Sequence, residues 1–222
     1  MSSAAGSADS SSGGAAPFVP VDADIAQLRT AATQCRGCEL WEPATQVVFS
    51  AGNPRARLML VGEQPGDVED QEGIPFVGPA GRLLQRALDE AGVTRAEVYV
   101  TNAVKHFRFE LRGKRRIHQT PQVRHIKACR PWLDAEIERV DPSLIICLGA
   151  VAAKDLLGNA FRITQDRGRV IEAPVGSRTR RVFATIHPSA VLRTTDGPER
   201  DEAYAGLVTD LAAAAGAGIQ GG

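Results

Sequence analysis

The sequence lacks several features that would assign it to a familiar class of protein. None of its apolar runs reaches the eighteen or so residues of a transmembrane helix, and its first residues lack the basic and apolar regions of a secretory signal. Its net charge is zero, with 26 basic and 26 acidic residues, which argues against a general polycation. We therefore expect a cytosolic protein with no membrane partner.

Large apolar residues are almost absent from the first stretch, MSSAAGSADSSSGGAAP. Such a Ser-, Ala- and Gly-rich segment cannot offset the entropy lost on ordering, and the closing GAGIQGG is expected to fray. With 43% hydrophobic residues, the chain can bury one good core. We predict a disordered tail over 1–20, a single α/β domain over 21–215 and a flexible tail over 216–222.

Charge is distributed unevenly despite the zero total. Residues 105–130 hold nine Lys or Arg and one acid, a local net charge of +8, whereas residues 62–92 hold seven acids and two bases, a net charge of −5. A basic segment facing an acidic loop suggests that an anionic polymer is gripped on one side of the protein. A solvated charged face is the plainer interpretation of the same pattern.

Short apolar segments alternate with amphipathic ones along the chain. Five segments are typical of strands: residues 57–62, 97–102, 143–149, 169–174 and 180–188. Helical patterns cover residues 80–91, 199–215 and 121–140, and we expect Pro131 to kink or split the last of these. Nearly all-apolar strands alternating with helices predict an α/β fold, a three-layer αβα sandwich with a mostly parallel sheet of about four or five strands.

Polar residues follow the predicted strands at the edge where such sheets bind ligands. Glu63 and Gln64 follow the first strand, Asn102 ends the second, and His187 lies at the end of the last. Because the carboxyl ends of parallel strands meet at one edge, these side chains are expected to converge. Any one of them alone is more often a turn former, but several at one edge favour a site.

The four cysteines are unevenly spaced: Cys35 and Cys38 in CRGC, then Cys129 and Cys147. Zinc sites more often show two close pairs, whereas iron–sulfur clusters accept wider spacing and use four thiolates. The pattern favours a structural [4Fe–4S] cluster. For Cys147, inside the apolar LIICLG, an inert buried thiol is the alternative.

Three motifs together with these cysteines carry a family resemblance. They are GEQPGDVEDQEGIPFVGPAGRLL at 62–84, VYVTNAVKH at 98–106 and HPSAVLR at 187–193. Taken together they resemble the iron–sulfur uracil-DNA glycosylases, family 4 of that superfamily. The matching pieces extend from about residue 35 to the closing helix.

Two departures from family 4 resemble the UdgX branch. This chain has GEQPG with Gln64 where family 4 has GEAPG, and it carries the additional loop KRRIH at 114–118. In UdgX a histidine of that loop becomes covalently joined to the DNA sugar after uracil leaves. The resemblance therefore implies that His118 is a nucleophile and that the protein acts once.

The resemblance also implies a role for each matching side chain. The catalytic residues would be Glu63, His118 and His187, the uracil-binding residues Gln64, Asp67, Phe76 and Asn102, the DNA-binding residues Lys114, Arg115, Arg116, Ser189 and Arg193, and the cluster ligands Cys35, Cys38, Cys129 and Cys147. The implied substrate is uracil-containing DNA, preferably single-stranded, and the released product is uracil. We expect a monomer in the bacterial cytosol or nucleoid.

Two other hypotheses fit the same sequence. In the first, the protein is an ordinary multiple-turnover family 4 uracil-DNA glycosylase, and His118 merely belongs to a phosphate-binding loop. In the second, it is a non-catalytic nucleic-acid-binding protein that has kept the fold and the cluster. The two remaining histidines outside the motif roles, His106 and His125, are interpreted as surface or packing residues.

Overall fold

A six-stranded sheet forms the centre of the fold. The structure, a computed structural model, describes residues 14–220. The described residues form eight strands in all: β1 (Ser50–Gly52), β2 (Leu58–Gly62), β3 (Val98–Asn102), β4 (Phe109–Arg112), β5 (Arg115–His118), β6 (Leu144–Leu148), β7 (Val170–Val175) and β8 (Arg178–Thr185). The sheet order is β1-β3-β2-β6-β8-β7, while β4 and β5 form a separate hairpin. The four central strands run parallel and both edge strands are antiparallel.

Eight α-helices surround this sheet in the described part of the chain. They are α1 (Ile25–Ala32), α2 (Asp67–Glu72), α3 (Pro79–Glu90), α4 (Val123–Val140), α5 (Ala150–Leu157), α6 (Ile163–Asp166), α7 (Pro188–Arg193) and α8 (Pro198–Gln220). None of these described helices is long and apolar enough to cross a membrane.

The sheet separates two hydrophobic cores. Successive side chains of a strand point to opposite faces, so Met59 and Val61 enter one core while Leu58 and Leu60 enter the other. Helices α1, α4 and α5 cover the first face, and α3, α7 and α8 cover the second. The predicted three-layer αβα sandwich is therefore confirmed.

Helix α3 shows how the sequence sets an element's bounds. Pro79 occupies the first turn, where its missing N–H has no partner to lose, and the apolar positions Leu84 and Leu88 recur on the buried face. The chain leaves the helix at Ala91, and Gly92 then adopts a positive φ of 73°. The predicted helix over 80–91 and its stop at Gly92 agree with this.

Several elements differ from the sequence prediction. The sheet has one strand more than predicted. The additional strand is β1, which is only three residues long and pairs with β3 at the edge of the sheet. The segment interpreted as a basic loop forms the β4–β5 hairpin. Helix α4 runs through Pro131 as one element, with buried side chains such as Cys129 and Leu133 on both sides of the proline.

The chain ends also differ from the predicted tails. Ala15 is buried, and its N–H donates to Ala128 O of α4 (2.7 Å), so the described part of the predicted 1–20 tail packs on the domain. At the other end α8 continues to Gln220, past the predicted boundary at residue 215. The rest of both predicted tails, 1–13 and 221–222, lies outside the described residues.

Candidate active site

The site lies at the carboxyl edge of the parallel strands, as the sequence predicted. Two adjoining cavities open there and share five lining residues: Gln64, His118, His187, Ser189 and Arg193. One cavity adds Phe76, Asn102 and Asp67, and the other adds Glu63 and the start of α5. The motifs following β2, β3 and β8 therefore converge on one place.

A narrow slot is formed where β2 and β3 end side by side. Gly62 pairs with Asn102, and a Cβ added at Gly62 would lie 2.3 Å from Asn102 Oδ1 and 2.6 Å from Phe76 Cζ. Only glycine leaves room for both side chains. Asn102 is 1% exposed, and its Oδ1 has no hydrogen-bond partner among residues 14–220. A buried acceptor without a partner is ready to bind a ligand's donor.

Phe76 provides an aromatic face beside this slot. Its backbone has a φ of 58°, a conformation that non-glycine residues adopt at a free-energy cost and that concentrates at functional sites. Its ring centroid lies 6.1 Å from that of His187, with 33° between the planes. The slot therefore offers a flat aromatic surface and an unpartnered amide oxygen to a planar ring.

Glu63 and His118 meet at the mouth of the cavities. His118 Nε2 lies 3.5 Å from Glu63 Oε1, a buried oxygen with no closer hydrogen-bond partner in the described chain. Burial raises the pKa of Glu63 to about 7, and burial also lowers the pKa of His118. Near neutral pH the pair therefore consists of a neutral imidazole and a carboxyl group close to its midpoint.

His187 is held in one tautomer by the start of α7. The Ser189 N–H donates to His187 Nδ1 (3.1 Å), so the proton of the neutral ring is on Nε2. Burial lowers the pKa of His187 to about 4, which keeps the ring neutral at physiological pH. Arg193, which is exposed, donates to Ser189 Oγ (3.0 Å). His187 thus presents one N–H as a donor within the cavity.

Gln64, predicted to bind uracil, lines both cavities and also hydrogen-bonds to the base of the hairpin. Its Nε2 donates to Arg108 O (3.2 Å) and Gln119 O (3.0 Å), and its Oε1 accepts from Arg108 N–H (3.0 Å). The amide therefore bridges the two chain segments that flank β4 and β5. Because His118 pairs with Phe109 at this end of the hairpin, Gln64 fixes the backbone that carries His118.

Arg116, predicted to contact DNA, is bound within the protein. Its guanidinium pairs with Asp67 Oδ1 (2.5 Å) and with Asp70 Oδ2 (2.6 Å), and it lies over the Phe109 ring at 5.1 Å. Asp70 is fully buried. This pairing also occupies Asp67, which was predicted to bind uracil. Of the three basic residues predicted to contact DNA in the hairpin, Lys114 and Arg115 are exposed.

Three of the four cysteines surround a separate, small cavity. Cys35, Cys38 and Cys129 line it together with His106, which is 7% exposed. Two N–H groups donate to the thiols: Trp132 Nε1 to Cys35 Sγ and Lys105 N to Cys129 Sγ, each at 3.3 Å. Within residues 14–220, no three His, Cys, Asp or Glu side chains close around a single metal ion. Thiolate and imidazole groups both ligate iron–sulfur clusters, so the donor set that lines this cavity fits a cluster by its chemistry.

Cys147 does not join this group. It lies in β6, fully buried between β2 and β8, and its pKa is raised by burial and by Asp155. This position agrees with the alternative interpretation of Cys147 from the sequence, an inert buried thiol rather than a cluster ligand. His106, interpreted from the sequence as a packing or surface residue, lines the cavity beside the three cysteines, and no spacing signal pointed to it.

Fold and site together define an α/β protein with a pocket for a flat, polar ring at the carboxyl edge of its parallel sheet. The model of the Uracil DNA glycosylase superfamily matches residues 49–212, and the chain belongs to this superfamily. It is 38% identical over 161 residues to the type-4 uracil-DNA glycosylase of Thermotoga maritima, covering 72% of this chain and 79% of that protein. It is similar to the type-4 enzymes of Archaeoglobus fulgidus (36% over 163 residues, 71% and 78%) and Sulfurisphaera tokodaii (35% over 173 residues, 76% of each).

The Arg116 ion pairs predict an effect on the hairpin that the neighbouring arginine lacks. Arg116→Ala leaves the buried Asp70 without its cation, so we expect the free energy of unfolding to fall by about 2–3 kcal/mol. Arg115→Ala, the matched exposed variant, should change it by less than about 0.5 kcal/mol. Urea unfolding measures both values, and hydrogen exchange should show faster exchange in residues 108–119 only for Arg116→Ala. Equal effects of the two variants would contradict the assignment.

Proposed function

We propose that this protein is a uracil-DNA glycosylase of the UdgX type, which excises uracil from DNA, preferably single-stranded, and then bonds covalently to the abasic sugar through His118. The observation that carries the proposal is the placement of His118 beside Glu63, at a cavity that also holds Asn102 and His187. A base within a duplex is out of reach of these side chains, so the nucleotide must enter the cavity extruded or single-stranded.

The slot at Gly62, between Asn102 and Phe76, recognises uracil. Uracil offers a ring N–H beside a carbonyl oxygen, and Asn102 Oδ1 supplies the matching acceptor. Cytosine has an acceptor where uracil has the N–H, so it would leave the buried Asn102 oxygen unsatisfied and be rejected. Phe76 supplies a stacking surface for the base.

As the glycosidic bond breaks, negative charge develops on uracil and positive charge on the sugar, and the site has one group to stabilise each charge. The bond from the anomeric carbon to uracil N1 breaks, and its electron pair leaves with uracil, whose oxygen accepts a hydrogen bond from His187 Nε2. The carboxylate of Glu63 stabilises the positive charge that develops on the sugar. One nitrogen of the neutral His118 ring forms a bond to the anomeric carbon with its lone pair, and the ring gives up a proton to Glu63.

We also propose that Cys35, Cys38, Cys129 and His106 hold a [4Fe–4S] cluster. When bound, the cluster ties the loop after α1 to α4 and to the segment after β3, a structural contribution rather than a catalytic one. The N–H donors of Trp132 and Lys105 already lie against two of the thiols, as hydrogen bonds to cluster sulfurs require.

Covalent trapping predicts a protein–DNA adduct that depends on His118. The wild-type protein, mixed with an end-labelled single-stranded oligonucleotide containing one uracil, should give a band of protein size that survives boiling on a denaturing gel. A thymine oligonucleotide should give none. His118→Ser should lose the band but release uracil over many turnovers, seen as alkali cleavage of the strand.

Other results would support the other two hypotheses. Alkali cleavage by the wild-type protein without a shifted band would identify an ordinary multiple-turnover glycosylase. Equal affinity for uracil and thymine strands, with no base released, would identify a nucleic-acid-binding protein without catalysis.

The raised pKa of Glu63 predicts the pH dependence of adduct formation. Glu63 acts as a carboxylate, and its pKa is about 7, so the single-turnover rate should fall about tenfold per pH unit below 7 and level off above it. Burial lowers the pKa of His118, which favours its neutral, nucleophilic form. Rates between pH 5 and 9 provide the measurement, and Glu63→Gln should be slower with a flat profile. A wild-type midpoint near pH 4.5, the ordinary value of a glutamate, would contradict the role of burial.

Cluster binding predicts which variants keep iron. Cys129→Ser and His106→Ala should lose most of the iron and sulfide of the purified protein, and His106→Cys should retain them because a thiolate is a good cluster ligand. Cys147→Ser, the matched cysteine variant, should retain both. Iron loss in Cys147→Ser combined with retention in His106→Ala would show that the ligand set is wrong.

A further inference from the structure

A buried ion pair lies directly behind the end of β3. The Lys105 side chain is 1% exposed and its ammonium group donates to Glu136, to Thr101 Oγ1 (2.6 Å) and to the backbone oxygen of Asn102 (2.8 Å). Glu136 of α4 is fully buried and also accepts from the Tyr99 hydroxyl (2.8 Å) and Thr101 Oγ1 (2.9 Å). All three protons of the ammonium group therefore have acceptors.

Stability alone gives little reason to bury this pair. Removing two charges from water has a large desolvation cost, and replacing a buried ion pair with apolar side chains of similar volume is often neutral or stabilising. Fully satisfied polar networks, by contrast, hold their members in one arrangement. The atoms that the Lys105–Glu136 pair holds therefore indicate what it does.

Among the atoms that Lys105 binds, the backbone carbonyl oxygen of Asn102 belongs to the residue proposed to read the base. Beyond the strand ends, Ala103 N–H donates to Gly62 O (2.9 Å) and Val104 N–H to Glu63 O (3.0 Å), which fixes one side of the segment. Lys105 fixes the other side by binding the carbonyl group of Asn102 itself. These two peptide groups set the direction in which the Asn102 Cα–Cβ bond points into the slot, where no described group binds Oδ1.

We propose that Lys105 and Glu136 are positioning residues that hold the Asn102 amide in the orientation needed to read uracil. This inference rests on the proposed function, in which Asn102 contacts the base. Lys105 also donates its backbone N–H to Cys129 Sγ (3.3 Å), so the same residue joins the thiol cavity to the base-reading amide.

The test separates base reading from stability by using a neutral double variant. Lys105→Met should raise the half-saturating concentration of a uracil oligonucleotide in single-turnover assays roughly tenfold, since a misplaced amide loses one or two hydrogen bonds. Its affinity for a thymine oligonucleotide, which is bound through the backbone, should not change. The double variant Lys105→Met/Glu136→Leu should recover the melting temperature lost in the single variant and still show the raised half-saturating concentration.

Two further variants keep the test decisive. Lys154→Met removes an exposed lysine of α5 and should match the wild type in every measurement. Glu136→Gln preserves side-chain size and keeps an oxygen acceptor for the Lys105 ammonium group, and it should weaken uracil recognition in the same direction as Lys105→Met at a temperature where its melting curve shows it folded.

Failure of the positioning role is distinguishable from failure of the proposed function. A double variant with wild-type half-saturation would show that the pair serves stability alone. A parallel loss of thymine affinity would show general disruption. If the wild-type protein releases no uracil, the proposed function fails, and the positioning role fails with it.

Discussion

The site depends on the parallel pairing of β2 with β3. This pairing sets Gly62 opposite Asn102, and two further backbone hydrogen bonds continue it to Glu63 and Val104. A one-residue slip would turn Asn102 to the other face of the sheet and bring a side chain against Phe76. The backbone ladder between β2 and β3 therefore sets the relative position of the catalytic carboxyl group and the base-reading amide of the proposed reaction.

The hairpin shows that a basic side chain can form ion pairs within the protein rather than bind a ligand. Arg116 is neutralised by Asp67 and Asp70, acids of the negatively charged loop that the sequence placed opposite the basic segment. That part of the charge complementarity is internal, and it anchors the strand that ends in His118. Gln64 adds three hydrogen bonds at the base of the hairpin, next to His118. Only the exposed part of the segment, including Lys114 and Arg115, remains available to phosphates.

Sequence patterns predicted what depends on local chemistry and missed what depends on distant pairing. Nearly all-apolar β2, β3 and β6 indicated the parallel sheet, and the shared edge of parallel strands then implied that Asn102 and His187 lie close together. Nothing local distinguishes Arg116 from Arg115, because their roles depend on hairpin register. Similarly, Cys147 matched a cluster ligand by residue type but lies within β6, whereas His106 reaches the thiol cavity only because the chain turns after β3.

Burial moves three titratable groups of the site toward their neutral forms. The pKa of Glu63 rises to about 7, that of His187 falls to about 4, and that of His118 is lowered. Near neutral pH these three side chains therefore carry little charge apart from a partly ionised Glu63, which suits an uncharged base. In the proposed reaction, charge appears only as the glycosidic bond breaks, and a low-dielectric site with fixed donors stabilises charge more strongly than water does. The burial that makes Glu63 a weaker acid also makes it a stronger base toward His118, so one physical cause favours both binding of the neutral base and attack on the sugar.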